Sequence, residues 1–224
     1  MKKVAILIDA GFLQKSLFMG SEGKDAKVIL DYCSKLINNK EEEIFRIYYY
    51  DCRPFDKKKP LPVTGQEKDF SSSDMSKGRN SFLDKMAKTA LVAFRQGELK
   101  FRGWKLRDKK DKQGKVIGTV IEDIHKRWEE DSTKSTKNIN DYIKDEDFVP
   151  NFEQKKVDVM IGLDVAWLAS KKIVDRLILV SGDTDFVPVL KFARKEGIQV
   201  YIGSKKDKRI QDELLKHSDG IRNG

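Results

Sequence analysis

Two aspartates one residue apart follow an apolar run in the last quarter of the chain. The stretch LILVSGDTDFVP, residues 177–188, passes from β-branched residues through a Ser-Gly pair to Asp183 and Asp185. An earlier apolar run, KKVAILID over residues 2–9, also ends in an acid, Asp9. Carboxylates that converge repel one another unless a positive charge lies between them. Carboxylate oxygens are the ligands that Mg²⁺ and Mn²⁺ prefer, so the pattern indicates a divalent-cation site.

Three further aspartates are candidates for the same site. Asp158 lies at the start of the predicted helix EQKKVDVMIGLDVAWLAS, residues 153–170, and Asp164 lies within it. Because six residues correspond to a rotation of about 120° around a helix, Asp158 and Asp164 do not share a face. Asp51 ends a second strand-like run, EIFRIYYYD. We therefore treat Asp158 as a primary ligand candidate, and Asp164 and Asp51 as secondary ones.

Each of these acids also has an ordinary structural interpretation. Asp183 or Asp185 would serve as the N-cap of the helix that follows them. Asp9 would bond to backbone in the turn DAG, and Asp158 would cap its helix or interact with the positive end of the helix dipole. Acids at the strand ends and at the start of the key helix favour a metal site over these separate roles.

The elements that must position these acids alternate between strand and helix. The predicted strands are residues 2–9, 43–51, 98–108, 175–181 and 198–204. The predicted helices are carried by residues 29–37, 82–97, 153–170, 185–197 and 207–217. This alternation predicts an α/β fold with a Rossmann-like parallel sheet and helices on both faces. The site in such a sheet lies at the carboxyl ends of the strands.

The remaining segments are predicted to be connections within a single domain, residues 1–224. Residues 53–80 contain three prolines, a serine run and many lysines, which is typical of a long mobile loop. Residues 109–152 are predicted to form a basic hairpin followed by a charged insertion. The motif KKDKQGK at 109–115 is the expected tip, and VIGTVI is the returning strand.

Composition narrows the classes of function. The net charge is +9, which favours polyanionic partners. Two cysteines outside any CxxC motif and two distant histidines make a zinc site or a disulfide scaffold improbable. Covalent Ser/His or Cys/His catalysis is also poorly supported.

Membrane insertion and secretion are not expected. No run of 18 apolar residues exists. The apolar run at the N-terminus is too short for a signal peptide, and Asp9 interrupts it. We expect a soluble cytoplasmic protein.

A basic segment is the candidate nucleic-acid surface. Residues 100–115 interleave the aromatic rings of Phe101 and Trp104 with a series of cations: Lys100, Arg102, Lys105, Arg107, Lys109, Lys110, Lys112 and Lys115. Cations for phosphates and rings for base stacking suit a single strand. Lys205 and Lys206, after a predicted strand, are also placed for phosphate contacts. The structural alternatives are a solvated hairpin with its aromatic side chains facing the core, and a solvated lysine run.

Four motifs resemble a known family. VAILIDAGFL, FRIYYYD, QKKVDVMIGLDVAWLA and LILVSGDTDFVPVLKFARKEGIQVYIGS are similar to the NYN domain, in the LabA-like branch of the PIN-like nuclease superfamily. The resemblance covers residues 1–52 and 153–204, with no recognisable support from 53–80 and 109–150. It implies a metal-dependent phosphodiesterase that acts on RNA.

The resemblance also assigns roles to residues. Four acids match the metal-binding positions of such folds: Asp9, Asp158, Asp183 and Asp185. Ser181 and Lys155 match family positions whose role is less certain. We treat Ser181 as a secondary site residue and Lys155 as a candidate nucleic-acid contact. Phe12 departs from the pattern, because many members carry an asparagine there.

The resulting hypothesis is in-line hydrolysis of RNA with Mg²⁺ or Mn²⁺, single strands being the favoured substrate. The alternative is a catalytically weak or inactive RNA-binding module of the same fold, which Phe12 favours and the four acids oppose. Two other carboxylate enzymes fit less well. A haloacid-type phosphatase requires DxD after its first strand, and a Toprim nuclease requires glutamate there. DNA as the substrate and a homo-oligomeric state stay open.

Overall fold

The structure, a computed structural model, describes residues 1–18, 23, 25–111, 115–133, 136, 138–206 and 208–224. The chain forms two compact units. The first contains Met1–Pro54, Lys77–Glu98 and Gln154–Gly224, and the second contains Phe55–Ser76 and Leu99–Glu153. The organisation of residues 1–224 as one domain stays a prediction.

The described residues contain both strands and helices. The strands are β1 Lys2–Asp9, β2 Glu42–Cys52, β3 Lys58–Pro60, β4 Glu67–Asp69, β5 Val92–Leu106, β6 Asp108–Lys110, β7 Val116–Thr119, β8 Phe148–Lys155, β9 Arg176–Val180, β10 Gln199–Ser204 and β11 Ile221–Asn223. The α-helices are α1 Ala10–Phe12, α2 Ala26–Lys35, α3 Asp74–Ala87, α4 Ile121–Glu130, α5 Val157–Ser170, α6 Val187–Lys195 and α7 Asp212–Lys216, and a π-helical turn covers Leu13–Leu17.

The main sheet has seven strands in the order β11-β10-β9-β1-β2-β5-β8. The pairs β1–β2, β1–β9, β9–β10, β10–β11 and β2–β5 are parallel. The predicted Rossmann-like parallel sheet is therefore confirmed. The five central residues of β1, Val4–Ile8, are fully buried, as expected for a strand with helices on both sides.

Each face of the sheet is covered by different helices. Side chains of Ile8 and Tyr49 pack in one cluster with Ile29 of α2 and Leu83 of α3. Tyr50 points to the other face because side chains alternate along a strand, and its hydroxyl bonds to α5 there. Helix α6 packs beside α5.

The register of the three central strands brings their carboxyl ends together. Asp9 pairs with Tyr50 of β2, and Ile8 pairs with Val180 of β9. Asp9 is consequently the neighbour of Asp51 on one side and of Ser181 on the other.

The predicted long loop over residues 53–80 was wrong in two places. Strands β3 and β4 form a short antiparallel hairpin, and α3 begins at Asp74. Prolines and serines are typical of loops, but Pro60 lies within an isolated two-stranded hairpin, where fewer ladder hydrogen bonds are needed.

The predicted helix over residues 82–97 was also wrong in its second half. Helix α3 ends at Ala87, and Phe94 and Gly97 lie in β5. No proline separates the apolar residues of α3 from those of β5. Their spacing therefore resembles the apolar stripe of a single helix. Leu91, with φ 62°, lies in the turn between the two elements.

The long helix that contains Asp158 differs from the prediction. Residues 153–155 belong to β8, and α5 begins at Val157. The helix is not buried all round, because Val159, Leu163 and Trp167 are 65%, 65% and 51% exposed. These three residues follow one another at intervals of four, so they form one apolar stripe on the outer face.

Other segments are corrected in detail. The charged insertion predicted within residues 109–152 contains α4 and the first half of β8. The closing helix is shorter than predicted and is followed by β11. The predicted hairpin at 109–115 is confirmed in β6 and β7, but its tip at 112–114, with Lys112, lies outside the described residues.

None of the helices in the described part of the chain combines the length and apolar character needed to cross a membrane.

A buried ion pair joins β2 to the far strands of the sheet. The Glu42 carboxylate is fully buried and accepts hydrogen bonds from Arg176 of β9 and from Arg222 of β11. Burial raises the pKa of a carboxyl, but the Asn38 N–H and the two guanidinium groups outweigh it and hold the pKa of Glu42 below its ordinary value.

We predict that Glu42→Gln lowers the free energy of unfolding at pH 7 by about 3–5 kcal/mol, because it leaves two guanidinium groups without their anion. The folded Glu42 pKa lies below that of the unfolded chain, about 4.3. The contribution is therefore complete above that pH and is lost as the pH falls through the folded pKa. Urea denaturation at pH 7 and pH 3 measures both. The exposed neighbour Glu43, changed to Gln, is the control, and an equal loss at both pH values would contradict the assignment.

Candidate functional site

Asp9 stands at the carboxyl end of β1, where the strand turns into α1. Its carboxylate accepts a hydrogen bond from the Phe12 N–H at 3.2 Å and one from the Ser181 hydroxyl at 3.5 Å. Burial raises the pKa of Asp9, and the N–H groups of Phe12 and Gly11 oppose that rise. The negative charges of Asp158 and Asp183 raise the pKa further, so this partly buried acid faces other anions.

Asp183 and Asp185 lie in the turn after β9. The Asp183 carboxylate accepts the Asp185 N–H at 2.9 Å and caps the short 3₁₀ helix Thr184–Phe186. The Asp183 N–H in turn donates to the Ser181 hydroxyl oxygen at 3.2 Å. Asp183 therefore caps a helix, as the structural interpretation expected. Its charge nevertheless acts on the carboxyl groups of Asp9 and Asp158.

Asp158 lies in the first turn of α5 and is exposed. Its pKa is raised by partial burial and then by the charges of Asp183 and Asp185. The four predicted ligands therefore form one electrostatically coupled group. Among the residues that the structure describes, no three Asp, Glu, His or Cys side chains are close enough together to hold a metal ion as they stand.

The two secondary candidates, Asp51 and Asp164, each have an arginine partner. Asp164 accepts hydrogen bonds from the Tyr50 hydroxyl at 2.8 Å and from Arg95 at 2.9 Å. Asp51 is buried and bonded to Arg79 and to the Cys52 N–H. Burial raises the pKa of Asp51 to about 6, against the lowering effect of Arg79. Asp164 lies on the α5 face of the sheet. Asp51 lies closer to the acidic group, because the charge of Asp9 is among the causes of its raised pKa.

The predicted nucleic-acid residues of the basic segment belong to the second unit. Arg102 forms an ion pair with Glu153 at 2.5 Å. The Trp104 indole N–H donates to the Pro60 carbonyl oxygen at 2.9 Å. Lys105 and Arg107 have exposed side chains. The Trp104 ring belongs to an aromatic cluster with Phe55, Phe70, Phe101 and Phe152.

The other predicted cations belong to the first unit. The Lys205 ammonium lies 3.5 Å from the centre of the Phe18 ring, which is a cation–π contact. Lys206 is exposed, and Lys155 is the last residue of β8. Both Lys155 and Lys205 stand at carboxyl ends of strands, the edge that also carries Asp9.

A cleft of about 440 Å³ opens beside Asp9, Ser181 and Asp183. Four polar residues that the sequence did not single out also line it: Lys15, Ser16, Gln154 and Gln211. Lys15 and Ser16 follow Asp9 by less than two helical turns, so their closeness in sequence to Asp9 could have indicated them. Gln154 and Gln211 reach the cleft only through the fold, so no local signal indicates them.

These features define an α/β protein of Rossmann-like topology with an acidic group at the carboxyl edge of its sheet. A family model described as the NYN domain matches residues 105–222, just over half of the chain. The chain belongs to the NYN domain family, within the PIN-like nuclease superfamily. The match includes Asp158, Asp183 and Asp185 and also residues 109–150, where no motif of the family was recognised from the sequence. It does not reach Asp9.

Two other comparisons add little. No curated protein matches the chain. The solved structures include a similar chain, a Vibrio parahaemolyticus protein of unknown function. It is 15% identical, with a TM-score of 0.45, and the similarity covers 99% of this chain and 92% of that one.

We predict that Asp158→Asn lowers the pKa of Asp9, because the substitution removes a negative charge that raises it. Carbon-13 NMR titration of the aspartate carboxyl groups measures the shift. Asp164→Asn is the matched control, since the Asp164 carboxylate is held by Arg95 on the other face. The grouping would be contradicted if the pKa of Asp9 stayed unchanged in Asp158→Asn but fell in Asp164→Asn.

Proposed function

We propose that the protein is a metal-dependent ribonuclease that hydrolyses RNA phosphodiester bonds at Asp9, Asp158, Asp183 and Asp185. The observation that carries the proposal is the convergence of these acids at one edge of the sheet. Burial raises the pKa of Asp9 and of Asp158, and neighbouring carboxylates raise both further: Asp158 and Asp183 act on Asp9, and Asp183 and Asp185 act on Asp158. An anionic group at the edge where such sheets bind ligands is suited to a cation.

The side chains fit Mg²⁺ or Mn²⁺ by their chemistry. Carboxylate oxygens are the preferred ligands of these hard cations. A positive charge would offset the repulsion from Asp158 and Asp183, which adds to the effect of burial in raising the pKa of Asp9. When bound, such an ion polarises a phosphate and lowers the pKa of a coordinated water. Asp9 and Asp183 would hold the ion directly. Asp158 and Asp185 would hold it directly or through water, or orient the attacking water.

The chain fixes the directions of the two main carboxylates before any ligand arrives. The Phe12 N–H and the Ser181 hydroxyl orient Asp9, while the Asp185 N–H orients Asp183. Ser181 links the two residues, because its hydroxyl donates to the Asp9 carboxylate and its oxygen accepts the backbone N–H of Asp183. Such pre-positioning avoids reorganisation when the reaction begins. We assign Ser181 a positioning role.

Cations around this edge would attract the RNA backbone. Lys155, Lys205 and Lys206 belong to the first unit, and we propose that they contact phosphates near the acids. In the second unit, the exposed side chains of Lys105 and Arg107 are the stronger phosphate candidates, because Arg102 is paired with Glu153. Trp104 has its indole N–H bonded to Pro60, so any stacking on it would use the ring face. Single-stranded RNA is the favoured substrate.

We predict that Asp9→Asn and Asp183→Asn each reduce the rate of RNA cleavage by roughly 100-fold or more. Mutating a residue that only hydrogen-bonds to a metal ligand already reduces activity by up to about 100-fold, so replacing the ligand itself should have at least that effect. The assay uses labelled single-stranded and structured RNAs, with DNA of the same sequence, in Mg²⁺, Mn²⁺ or EDTA. Asp31→Asn, at an exposed position on α2, is the control and should cut like the wild type.

The other outcomes separate the competing interpretations. Wild-type protein that binds RNA but never cuts would support the RNA-binding regulatory module, with Phe12 as the substitution to examine. Cutting that survives both Asp9→Asn and Asp183→Asn would place the active site elsewhere.

A further inference from the structure

The cleft beside Asp9 and Asp183 has a composition that a metal site alone does not require. At about 440 Å³ it falls within the range of small-ligand clefts, roughly 300–1,000 Å³. Beyond the acids, its lining combines an aromatic ring, a cation, a hydroxyl and two carboxamides: Phe12, Lys15, Ser16, Gln154 and Gln211. These are the groups that contact the base and the phosphate of a nucleotide.

The Phe12 ring is fixed at the wall of the cleft. Its backbone N–H bonds to the Asp9 carboxylate, so the same turn positions the acid and the ring. The ring also lies against Gly182, where an added Cβ would overlap it. Because Gly182 has no side chain, the ring rests directly on the backbone between β9 and Asp183. The ring is partly buried against the core and partly exposed, so the exposed part of a fixed ring is offered to a base.

Two carboxamides are placed to meet the edge of a base. The Gln211 side-chain N–H donates to the Gly182 carbonyl oxygen at 3.0 Å, which ties Gln211 to the backbone that supports Phe12. A carboxamide has two donor hydrogens and an acceptor oxygen, so this bond uses only one of its functions. The Gln154 oxygen lies 3.5 Å from the position of a Cβ on Gly11, next to the Asp9 carboxylate.

Lys15 supplies the charge that a phosphate requires. It lies in the π-helical turn three residues after Phe12, is exposed, and lines the same cleft. A nucleotide whose base contacts Phe12 would have its phosphate between Lys15 and the acidic edge.

We propose that this cleft binds one nucleotide of single-stranded RNA, with its base stacked on Phe12, its base edge contacted by Gln211 or Gln154, and its phosphate bound by Lys15. The proposal rests on the proposed RNA substrate and extends it. Phe12 then supplies a stacking surface that positions the strand.

The test is an abasic scan of a short single-stranded RNA, measured by fluorescence anisotropy in EDTA. Removing the base at one position should weaken binding to the wild type by roughly 5- to 150-fold, the range for one stacked base. In Phe12→Leu, the same abasic position should make no difference, because the ring is already absent. Phe12→Tyr keeps an aromatic face and should keep the sensitivity.

Three results would overturn the proposal. One is a wild type with no sensitive position, and another is Phe12→Leu that retains the wild-type sensitivity while melting at the wild-type temperature. The third is displacement of the RNA by a free nucleoside monophosphate at a concentration near the Kd of the oligonucleotide, which would indicate a site for free nucleotides.

A separate variant tests the support of the ring. Gly182→Ala should displace Phe12 and abolish the sensitivity to the same abasic position. Equal sensitivity in Gly182→Ala and wild type would contradict the described packing.

The failure of this proposal can be told apart from failure of the nuclease. Binding in EDTA does not depend on cleavage. If binding depends on a base that requires Phe12 but the protein never cuts RNA, the subsite is supported and the nuclease activity is contradicted. If the protein cuts RNA but no base position depends on Phe12, only the subsite is contradicted.

Discussion

The electrostatic repulsion among Asp9, Asp158 and Asp183 is the constraint on which the site depends. The parallel register of β1 with β9 places Asp9 beside Ser181, two residues before Asp183. Burial of β1 makes the charge of Asp9 costly, and the neighbouring acids increase that cost. Backbone N–H groups and Ser181 offset part of it and give each carboxylate a direction. A cation at this edge would stabilise the arrangement further, which is why we propose a metal there.

The acids that lie outside this group show the contrast. Asp164 is neutralised by Arg95, and Asp51 by Arg79, so each has its partner within the chain. Glu42, fully buried, has two arginines. The chain thus supplies a guanidinium group at these three acids, although the charge of Asp9 also raises the pKa of Asp51. At Asp9 and Asp158 the charges that raise the pKa after burial come from other carboxylates. This difference separates structural acids from those we propose as ligands.

The sequence predicted the parts of the fold that local patterns determine. Apolar runs that end in an acid located β1 and β9, and strand–helix alternation predicted the parallel sheet. Local patterns were insufficient where two elements share one stripe, as at Phe94, or where a helix is apolar on a face that the fold leaves exposed, as at Trp167. Gln154 and Gln211 were missed because only the tertiary fold brings them to the cleft. Phe101 and Trp104 were predicted to offer rings for base stacking, with packing toward the core as the alternative. The structure shows both rings in contact with other aromatic side chains, and base stacking stays a prediction.

The most direct measurement is diffraction from crystals grown with Mn²⁺, collected at a wavelength where manganese scatters anomalously. Our account predicts an anomalous peak within about 2.5 Å of a carboxylate oxygen of Asp9 and of Asp183, the distance range of hard-cation ligands. Crystals of Asp9→Asn should lose that peak. A protein that cuts RNA with Mn²⁺ yet shows manganese only at other residues would contradict the account.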